Sequence, residues 1–484
     1  MSDRFVNASI RARRWARPAF SIGAAAVLAV GALAVPATAN AQSLINALPG
    51  MSNLPGQEGS VGHGSSEEGS LEAFTPAAES DRVAERYLPD PSGDPWYDRD
   101  LDFDKSAAPG TILDARPVQL PSMGLHRIES SWQVLIRSND TNENAQIAVA
   151  TIVLPKAEWS GDGPRPLVAS SYATDSLGLA CQPSRTLPKG IAPTAPNAML
   201  DQRFLDQGYA LVVPDHQGPK AAYAAGRQAG HVVLDSIRAA RSFVPPGSEE
   251  APLAKSKVAQ LGFSGGAIAA GWAAQIQPTY APELEDVFVG TSIGGVPADF
   301  GALMTTMDGY YGPAGIFRAA VLGVAREYPA LYKHLNPLGD VFAYTSRNAC
   351  SEELHWQGLA QLPIDSLTTD RHVLADPEVR RILVENTLGP NPERPKEIPS
   401  QPMQVWQGDD DAPIVPNTSI AIGDYWVPTW AVKRMVSNWC KAGVQTQYQP
   451  VPGEHLVSAG TGADPAFAWI DARMRDLPLE ASCN

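Results

Sequence analysis

A serine between two glycines is the residue of this chain best placed to act as a nucleophile. Ser264 lies at the centre of the Gly-x-Ser-x-Gly pattern of residues 262–266. The apolar-alternating run 256–260 before it predicts a strand, and the alanine-rich run 267–276 after it predicts a helix. A strand, this tight turn and a helix present the serine hydroxyl above a sheet, at the positive end of the helix dipole. The pattern therefore predicts a nucleophile for acyl transfer.

The chain holds a second match to the same pattern, at residues 290–294, centred on Ser292. A strand-like run also precedes this serine, but Gly295 and Pro297 follow it closely. A proline at that position prevents a helix from running directly on from the turn. The structural context therefore favours Ser264 over Ser292.

A serine hydroxyl is a weak nucleophile, so a histidine base and a carboxylate that orients the base must accompany it. His455 follows a predicted late strand and is the only histidine after the acidic run 409–411. The order serine, acid, histidine, with the last two on loops after late strands, is that of the α/β-hydrolases. We therefore predict His455 as the base; the alternative is a surface or packed histidine.

The acidic run 409–411 offers three aspartates for the role of the carboxylate. We predict Asp411, because it lies three residues after Gly408 and close to Pro413, whose fixed φ would rigidify the turn. Asp410 takes its place if the loop is shifted by one residue. A solvated turn or a calcium site are the other interpretations of consecutive aspartates.

The elements that must position these residues alternate between strands and helices. Two runs joined by a polar turn, 131–137 and 145–153, predict an antiparallel pair of strands. Two short apolar runs, 166–170 and 209–213, predict central strands, and the run 222–244 predicts a helix. Such alternation favours a mostly parallel sheet covered on both faces. We predict an α/β class protein with the α/β-hydrolase fold, a mostly parallel central sheet with helices on both faces and an inserted helical cap.

The cap is predicted from a change of pattern between residues 297 and 399. Short helical runs there are divided by Pro and Gly, and no strand is convincing. The strand pattern returns at 402–406 and 446–451. The predicted core therefore comprises residues 89–296 and 400–484, with the helical cap or lid 297–399 inserted between them.

The first 41 residues have the pattern of a secretory signal peptide. Four arginines between residues 11 and 17 precede an apolar run, 19–35, and small residues suited to cleavage end at Ala41. A membrane anchor is the alternative, although the run is short for a span. Residues 42–88, rich in Gly, Ser, Pro and Glu, predict a disordered linker. We expect a mature protein without an integral membrane segment, either secreted to the extracellular space or associated with the cell envelope.

Charge and cysteine content restrict the partners. The formal net charge is −15, and loss of residues 1–41 with their five Arg and one Asp makes it −19. Such acidity argues against nucleic acid and anionic membrane surfaces as partners.

Four cysteines in an exported chain suggest two disulfides, in any of three pairings. The chain contains no Cys-x-x-Cys or His-x-x-x-His spacing, so we expect no metal site.

Four stretches of the chain carry a family resemblance. They are a segment ending in Cys-x-Pro-Ser at 172–184, an Asp-His-x-Gly loop at 215–222, the serine turn 262–267 with its helix to 284, and the histidine loop 453–456. Together they resemble the secretory lipases of the lipase-A type, α/β-hydrolases with a large cap found in yeasts and actinobacteria. The resemblance runs from about residue 88 to near the C-terminus.

The resemblance implies the site, the disulfides and the activity. The implied residues are the triad Ser264, Asp411 and His455, the oxyanion-hole residues Asp175 and Gly265, and the disulfides Cys181–Cys350 and Cys440–Cys483. The family acid stands in Asp-x-x-Val-Pro, whereas here one extra residue separates Asp411 from the Val-Pro at 415–416. The implied function is that of a secreted carboxylic-ester hydrolase, a triacylglycerol lipase that acts without a cofactor on an ester or lipid substrate, with a lipid–water interface as a further partner.

Three alternatives to a lipase are weighed against these residues. A short-chain carboxylesterase or an acyltransferase would use the same triad, and the two differ from a lipase in their products and acyl-chain preference. A non-catalytic surface binding protein on a hydrolase fold is the third interpretation. It would be expected to lack a triad member, and this chain has residues for all three positions.

Overall fold

The computed structural model describes residues 84–98, 102–190, 195–414, 421–479 and 483. The predicted signal peptide 1–41 and most of the predicted linker lie outside these residues. The linker prediction is wrong for its last five residues, 84–88. Ala84 and Tyr87 are buried there, and the Tyr87 ring stacks on Tyr332 at a centroid distance of 4.6 Å. Residues 84–88 therefore belong to the folded part of the chain, although their polar composition predicted a linker, because the Tyr87 ring packs against the buried Tyr332.

Within the described residues one sheet contains nine strands in the order β1-β2-β3-β5-β4-β6-β7-β8-β9. The first four strands in this order pair antiparallel, and all pairings from β5 onward are parallel. The strand bounds are β1 Ile112–Pro117, β2 Ile128–Asn139, β3 Ala145–Pro155, β4 Leu167–Ser171, β5 Ala210–Pro214, β6 Val258–Phe263, β7 Phe288–Gly294, β8 Met403–Gly408 and β9 Thr446–Val451. The mostly parallel sheet predicted from sequence is confirmed.

The central strands are apolar throughout because helices cover both faces of the sheet. Every residue of β4, β5 and β6 is buried. Successive side chains alternate between two apolar clusters: Val212 joins one and its neighbour Leu211 joins the other. This two-sided burial is typical of parallel sheets and explains why these runs are continuous rather than alternating in the sequence.

Helices pack on both faces and fill the connection between β7 and β8. Their bounds are α1 Pro95–Asp98, α2 Pro183–Thr186, α3 Ala195–Asp206, α4 Gly226–Ser242, α5 Gly265–Tyr280, α6 Phe300–Met307, α7 Pro313–Glu327, α8 Pro337–Ser346, α9 Ser351–Gly358, α10 Pro377–Glu385, α11 Thr429–Lys441, α12 His455–Thr461 and α13 Ala463–Met474. Helices α6 to α10 occupy the range predicted as a cap, and they share one apolar cluster with α5 of the core. None of the helices in the described part of the chain is long and apolar enough to span a bilayer.

One of the two disulfides and one buried arginine fasten the helical insertion to the core, and the other disulfide joins α11 to Cys483. The disulfides are Cys181–Cys350 and Cys440–Cys483, the pairing that the family resemblance implied, with Cα–Cα distances of 5.5 and 5.4 Å. Arg326 of α7 is buried and donates to the carbonyl oxygen of Leu177 at 2.6 Å. The first disulfide and Arg326 therefore both hold the loop that follows β4, which carries Asp175.

Candidate active site

Ser264 forms a sharp turn between β6 and α5. Its backbone angles, φ 54° and ψ −121°, are rare for a residue with a side chain. The backbone packed around the turn leaves no room for a side chain at positions 262 and 266. A Cβ added to Gly262 would lie 2.2 Å from the carbonyl oxygen of Gly266, and one added to Gly266 would lie 2.1 Å from that of Ser171. The turn therefore holds the Ser264 hydroxyl at the carboxyl edge of the central strands.

The second Gly-x-Ser-x-Gly match lies in a different setting. Ser292 is inside β7, is fully buried, and donates its hydroxyl to Oε1 of Gln404 at 2.7 Å. A serine in mid-strand with this partner has no access to a substrate. The two matches therefore differ in structural setting: Ser264 lies at a turn between a strand and a helix, and Ser292 lies inside a strand.

His455 follows β9 and begins α12. Its Nε2 lies 2.9 Å from Oγ of Ser264, and the side chain is almost completely buried. The rings of Phe263 and Trp426 pack against the imidazole, each with a centroid distance of 5.0 Å. The histidine is thus within hydrogen-bond reach of the serine and is held in one orientation by aromatic packing.

The carboxylate beside His455 belongs to Asp424. Its Oδ2 accepts from Nδ1 of His455 at 2.6 Å and from Nε2 of Gln407 at 2.9 Å. Its Oδ1 accepts the backbone N–H groups of Trp426 at 2.9 Å and Val427 at 2.8 Å. The Asp424 side chain is fully buried. Four hydrogen bonds therefore fix this carboxyl group against the histidine, which is the arrangement that orients a catalytic base.

The prediction that Asp411 meets the histidine is wrong. The Asp411 side chain is 77% exposed and its Oδ2 pairs with Nζ of Lys433 at 2.9 Å. The two other members of the acidic run are also engaged elsewhere: Asp409 accepts from Tyr448 at 2.5 Å, and Asp410 accepts the backbone N–H of Gly423 at 2.7 Å. All three aspartates therefore stabilise the loop that follows β8 instead of the base.

The physical reason is that the chain runs away from the end of β8 after Gly408 and comes back to it only at Asp424. The backbone N–H of Asp424 donates to the carbonyl oxygen of Gly408, the last residue of β8, at 3.0 Å. Asp424 thereby takes the place next to the strand end that was predicted for Asp411. A sequence signal for it exists, because residues 424–428 read Asp-Tyr-Trp-Val-Pro and match the family pattern without an extra residue.

Asp175 and Gly265 lie together beside Ser264. Asp175 follows β4, has a φ of 44°, and is buried. A Cβ added to Gly265 would lie 1.8 Å from Oδ1 of Asp175, so this carboxyl group sits directly over the glycine. Gly265 begins α5, and the first backbone N–H groups of a helix have no acceptor within the helix. The carboxyl group and the helix start thus converge next to the serine hydroxyl.

Burial and charge shift the pKa values of the ionisable groups here. Burial raises the pKa of Asp175 to about 6, which favours its neutral form in weakly acidic solution. Burial lowers the pKa of His455, but the charge and hydrogen bond of Asp424 outweigh it, and the pKa of the histidine is raised. The site therefore combines a carboxylic acid that becomes neutral near pH 6 with a histidine of increased basicity.

The cavity that reaches Ser264 and His455 is small and apolar. Its volume is about 20 Å³, room for about one water molecule. Phe300 and Phe317, from α6 and α7, line both this cavity and a larger one of about 90 Å³ inside the helical insertion. The cavity at Ser264 is therefore too small for an ester substrate as it stands, and the larger cavity that shares its two phenylalanines has an almost entirely apolar wall.

Residues 191–481 match the family model described as Secretory lipase. The chain is 32% identical over 409 residues to Lipase 4 of Candida albicans, covering 81% of this chain and 84% of that protein. It is 30% identical over 415 residues to the secreted triacylglycerol lipase LIP1 of Malassezia furfur, covering 81% and 78%, respectively. Among solved structures, the X-ray structure of Candida antarctica lipase A is similar, with 27% identity and a TM-score of 0.69, covering 82% of this chain and 89% of that one.

Proposed function

The chain belongs to the secretory lipase family, and from this premise we propose that it is an exported triacylglycerol lipase whose triad is Ser264, His455 and Asp424. Membership of this family makes it a carboxylic ester hydrolase. The observation that carries the proposal is the buried chain of hydrogen bonds from Ser264 to His455 at 2.9 Å and from His455 to Asp424 at 2.6 Å. The apolar lining of the adjoining cavity suits an acyl chain.

The proposed reaction proceeds through an ester of Ser264. Its Oγ attacks the carbonyl carbon of the substrate while Nε2 of His455 takes the hydroxyl proton, and Asp424 stabilises the imidazolium that forms. The tetrahedral intermediate expels the alcohol, which receives that proton from His455. A water molecule then attacks the acyl-enzyme with His455 again as the base, and the fatty acid leaves as Ser264 is regenerated.

The negative charge on the tetrahedral intermediate needs donors that are already in place. The backbone N–H of Gly265 at the start of α5 supplies one. We propose that the Asp175 carboxyl group, in its neutral form, supplies another. Support comes from its position over Gly265, from the absence of a hydrogen-bond partner for its Oδ1 among the described residues, and from its raised pKa.

This role of Asp175 predicts a characteristic pH dependence. The acid donates only below its pKa of about 6, so its contribution is present at low pH and is lost as the pH rises through that value. Asp175→Asn carries a permanent donor, and its kcat relative to the unmodified protein should increase steadily between pH 5 and 8. Asp175→Leu has no donor and should lose about 10²–10³ in kcat at low pH. The measurement is kcat for p-nitrophenyl butyrate across this pH range. Parallel pH profiles for the Asn variant and the unmodified protein would contradict the proposal.

Export is part of the proposal and has three lines of support. The first 41 residues have the pattern of a signal peptide. Two disulfides close within the fold, and such bonds persist in oxidising compartments. The family is described as secretory, and the Malassezia furfur relative is named a secreted lipase.

Product analysis tests the lipase against its two enzymatic alternatives. The purified protein should release fatty acid from emulsified triolein and from p-nitrophenyl esters of long as well as short chains, while Ser264→Ala serves as the blank. Activity restricted to soluble short-chain esters would indicate a carboxylesterase instead. Formation of a new ester in place of free fatty acid, when an alcohol is added in low concentration, would indicate an acyltransferase.

A further inference from the structure

Two of the stretches that carry the family resemblance contribute no residue to the triad, and they bind each other. The segment 172–184 follows β4 and contains Asp175, and the segment 215–222 follows β5. β4 and β5 are parallel neighbours, so both segments leave the same edge of the sheet. We propose that His216, with Asp215 beside it, is a positioning residue that holds the Asp175 carboxyl group in place for the oxyanion. This inference rests on the proposed function, since His216 would act through the donor proposed there.

His216 binds the start of the segment after β4. Its Nε2 lies 2.8 Å from the carbonyl oxygen of Tyr172, and the side chain is buried. Burial lowers the pKa of His216 to about 4, so the ring is neutral above that pH, and Nε2 carries its proton because a carbonyl oxygen only accepts. The same oxygen accepts the backbone N–H of Thr174 at 2.8 Å in the turn that leads into Asp175. Arg326 and the disulfide hold this segment after Asp175, whereas the imidazole holds it before.

Asp215 binds the other end of the same segment. Both of its carboxyl oxygens accept from Ser184: Oδ1 from the backbone N–H at 3.0 Å, and Oδ2 from the hydroxyl. Two residues earlier in the segment, Nε2 of Gln182 donates to Oε1 of Gln217 at 3.3 Å. Asp215, His216 and Gln217 are consecutive, and all three side chains are buried. One short stretch after β5 therefore fixes both ends of the segment after β4.

The backbone at Asp175 depends on such support. Its φ of 44° is uncommon for a residue with a side chain and persists where the surrounding structure holds it. The carbonyl group that His216 binds also lies against the serine turn, because a Cβ added to Gly266 would lie 3.0 Å from the carbonyl carbon of Tyr172. A shift of Tyr172 therefore moves Asp175 relative to the helix start at Gly265. A donor acts on an oxyanion over about 3 Å, and a displacement of about 1 Å can cost about hundredfold in rate.

Substitution of His216 in two backgrounds tests the positioning role. The measurement is kcat and KM for p-nitrophenyl butyrate at pH 5, below the pKa of about 6 of Asp175. His216→Leu removes the donor to Tyr172 and should lower kcat about tenfold to hundredfold, with KM unchanged within about twofold. His216→Gln keeps an N–H group near the position of Nε2 and should recover most of that loss. When Asp175→Leu is already present, His216→Leu should lower kcat further by less than about twofold, because the group that it positions is gone.

His231→Leu is the matched control. His231 is equally buried, and its Nδ1 lies 3.0 Å from the carbonyl oxygen of Asp140. Its ring packs on Tyr280 at a centroid distance of 4.2 Å. Tyr280 ends α5, whose 16 residues separate it from Ser264 by about 24 Å. Loss of this bond should lower the free energy of unfolding and leave kcat within about twofold of the unmodified protein.

Two results would overturn the positioning role. The first is a His216→Leu protein that is folded by circular dichroism and keeps its kcat within about twofold. The second is an equal loss of kcat with and without Asp175→Leu, which indicates a general loss of structure. If His216→Leu does not fold, Ser184→Ala decides in its place, since it removes one hydroxyl at the other end of the segment and should show a smaller loss with the same dependence on Asp175. Failure of the proposed function is recognised separately, as hydrolysis that persists in Ser264→Ala, and full kcat in Asp175→Leu at pH 5 would overturn the proposed donor together with this inference.

Discussion

Replacing Ser264 with alanine is expected to lower kcat for ester hydrolysis by about 10⁶, the loss typical when a hydrolase nucleophile is removed. The hydroxyl that lies 2.9 Å from Nε2 of His455 is then absent, and no acyl-enzyme can form. Alanine retains the turn and removes only one oxygen, so the fold should persist. The measurement is kcat on p-nitrophenyl butyrate, together with the acyl-enzyme mass after a short incubation with a slow substrate.

Ser292→Ala is the matched control, since it removes the same atom from the other Gly-x-Ser-x-Gly match. Ser292 bonds to Gln404 inside the sheet, so its loss should lower the free energy of unfolding by about 1 kcal/mol or more and leave most of the activity. Equal losses of activity in both variants, or full activity in Ser264→Ala, would refute the assignment of the nucleophile.

Asp424→Asn is expected to lower kcat by about 10⁴, because an amide no longer holds the histidine tautomer that accepts the serine proton. The fold should survive, since the amide oxygen of asparagine can still accept the N–H groups of Trp426 and Val427. The charge of Asp424 raises the pKa of His455. Its removal should therefore move the acidic limb of kcat/KM to lower pH, which a purely structural defect would not do.

Asp411→Asn serves as the control for this prediction. Its side chain is 77% exposed and, in the described part of the chain, forms an ion pair with Lys433, and exposed ion pairs contribute little to stability. Activity close to that of the unmodified protein is expected, with an unchanged pH profile. A crippled Asp411→Asn beside an active Asp424→Asn would show that the loop after β8 adopts another arrangement in solution.

Much of the fold was predictable because its signals are local. The continuous apolar runs of β4 and β5 predict buried parallel strands, since both faces of such strands are covered. The turn at Ser264 is encoded by glycines within two residues of it, and the histidine loop follows directly on β9. In each case short-range backbone preference and the order of elements suffice. The family resemblance, which is confirmed, added the disulfide pairing that the cysteine count left open.

Long-range contacts decided the rest. Two aspartates are followed by Val-Pro, one at 411 and one at 424, and composition does not say which of them returns to β8. The hydrogen bond from the Asp424 backbone to Gly408 and the loop contacts of the acidic run make that choice. The raised pKa of Asp175 and the closed cavity likewise depend on burial by segments distant in the chain. The turn at Ser264 is determined by the few residues that form it. The partner of a carboxylate such as Asp424 instead depends on where the loop that carries it contacts the rest of the fold.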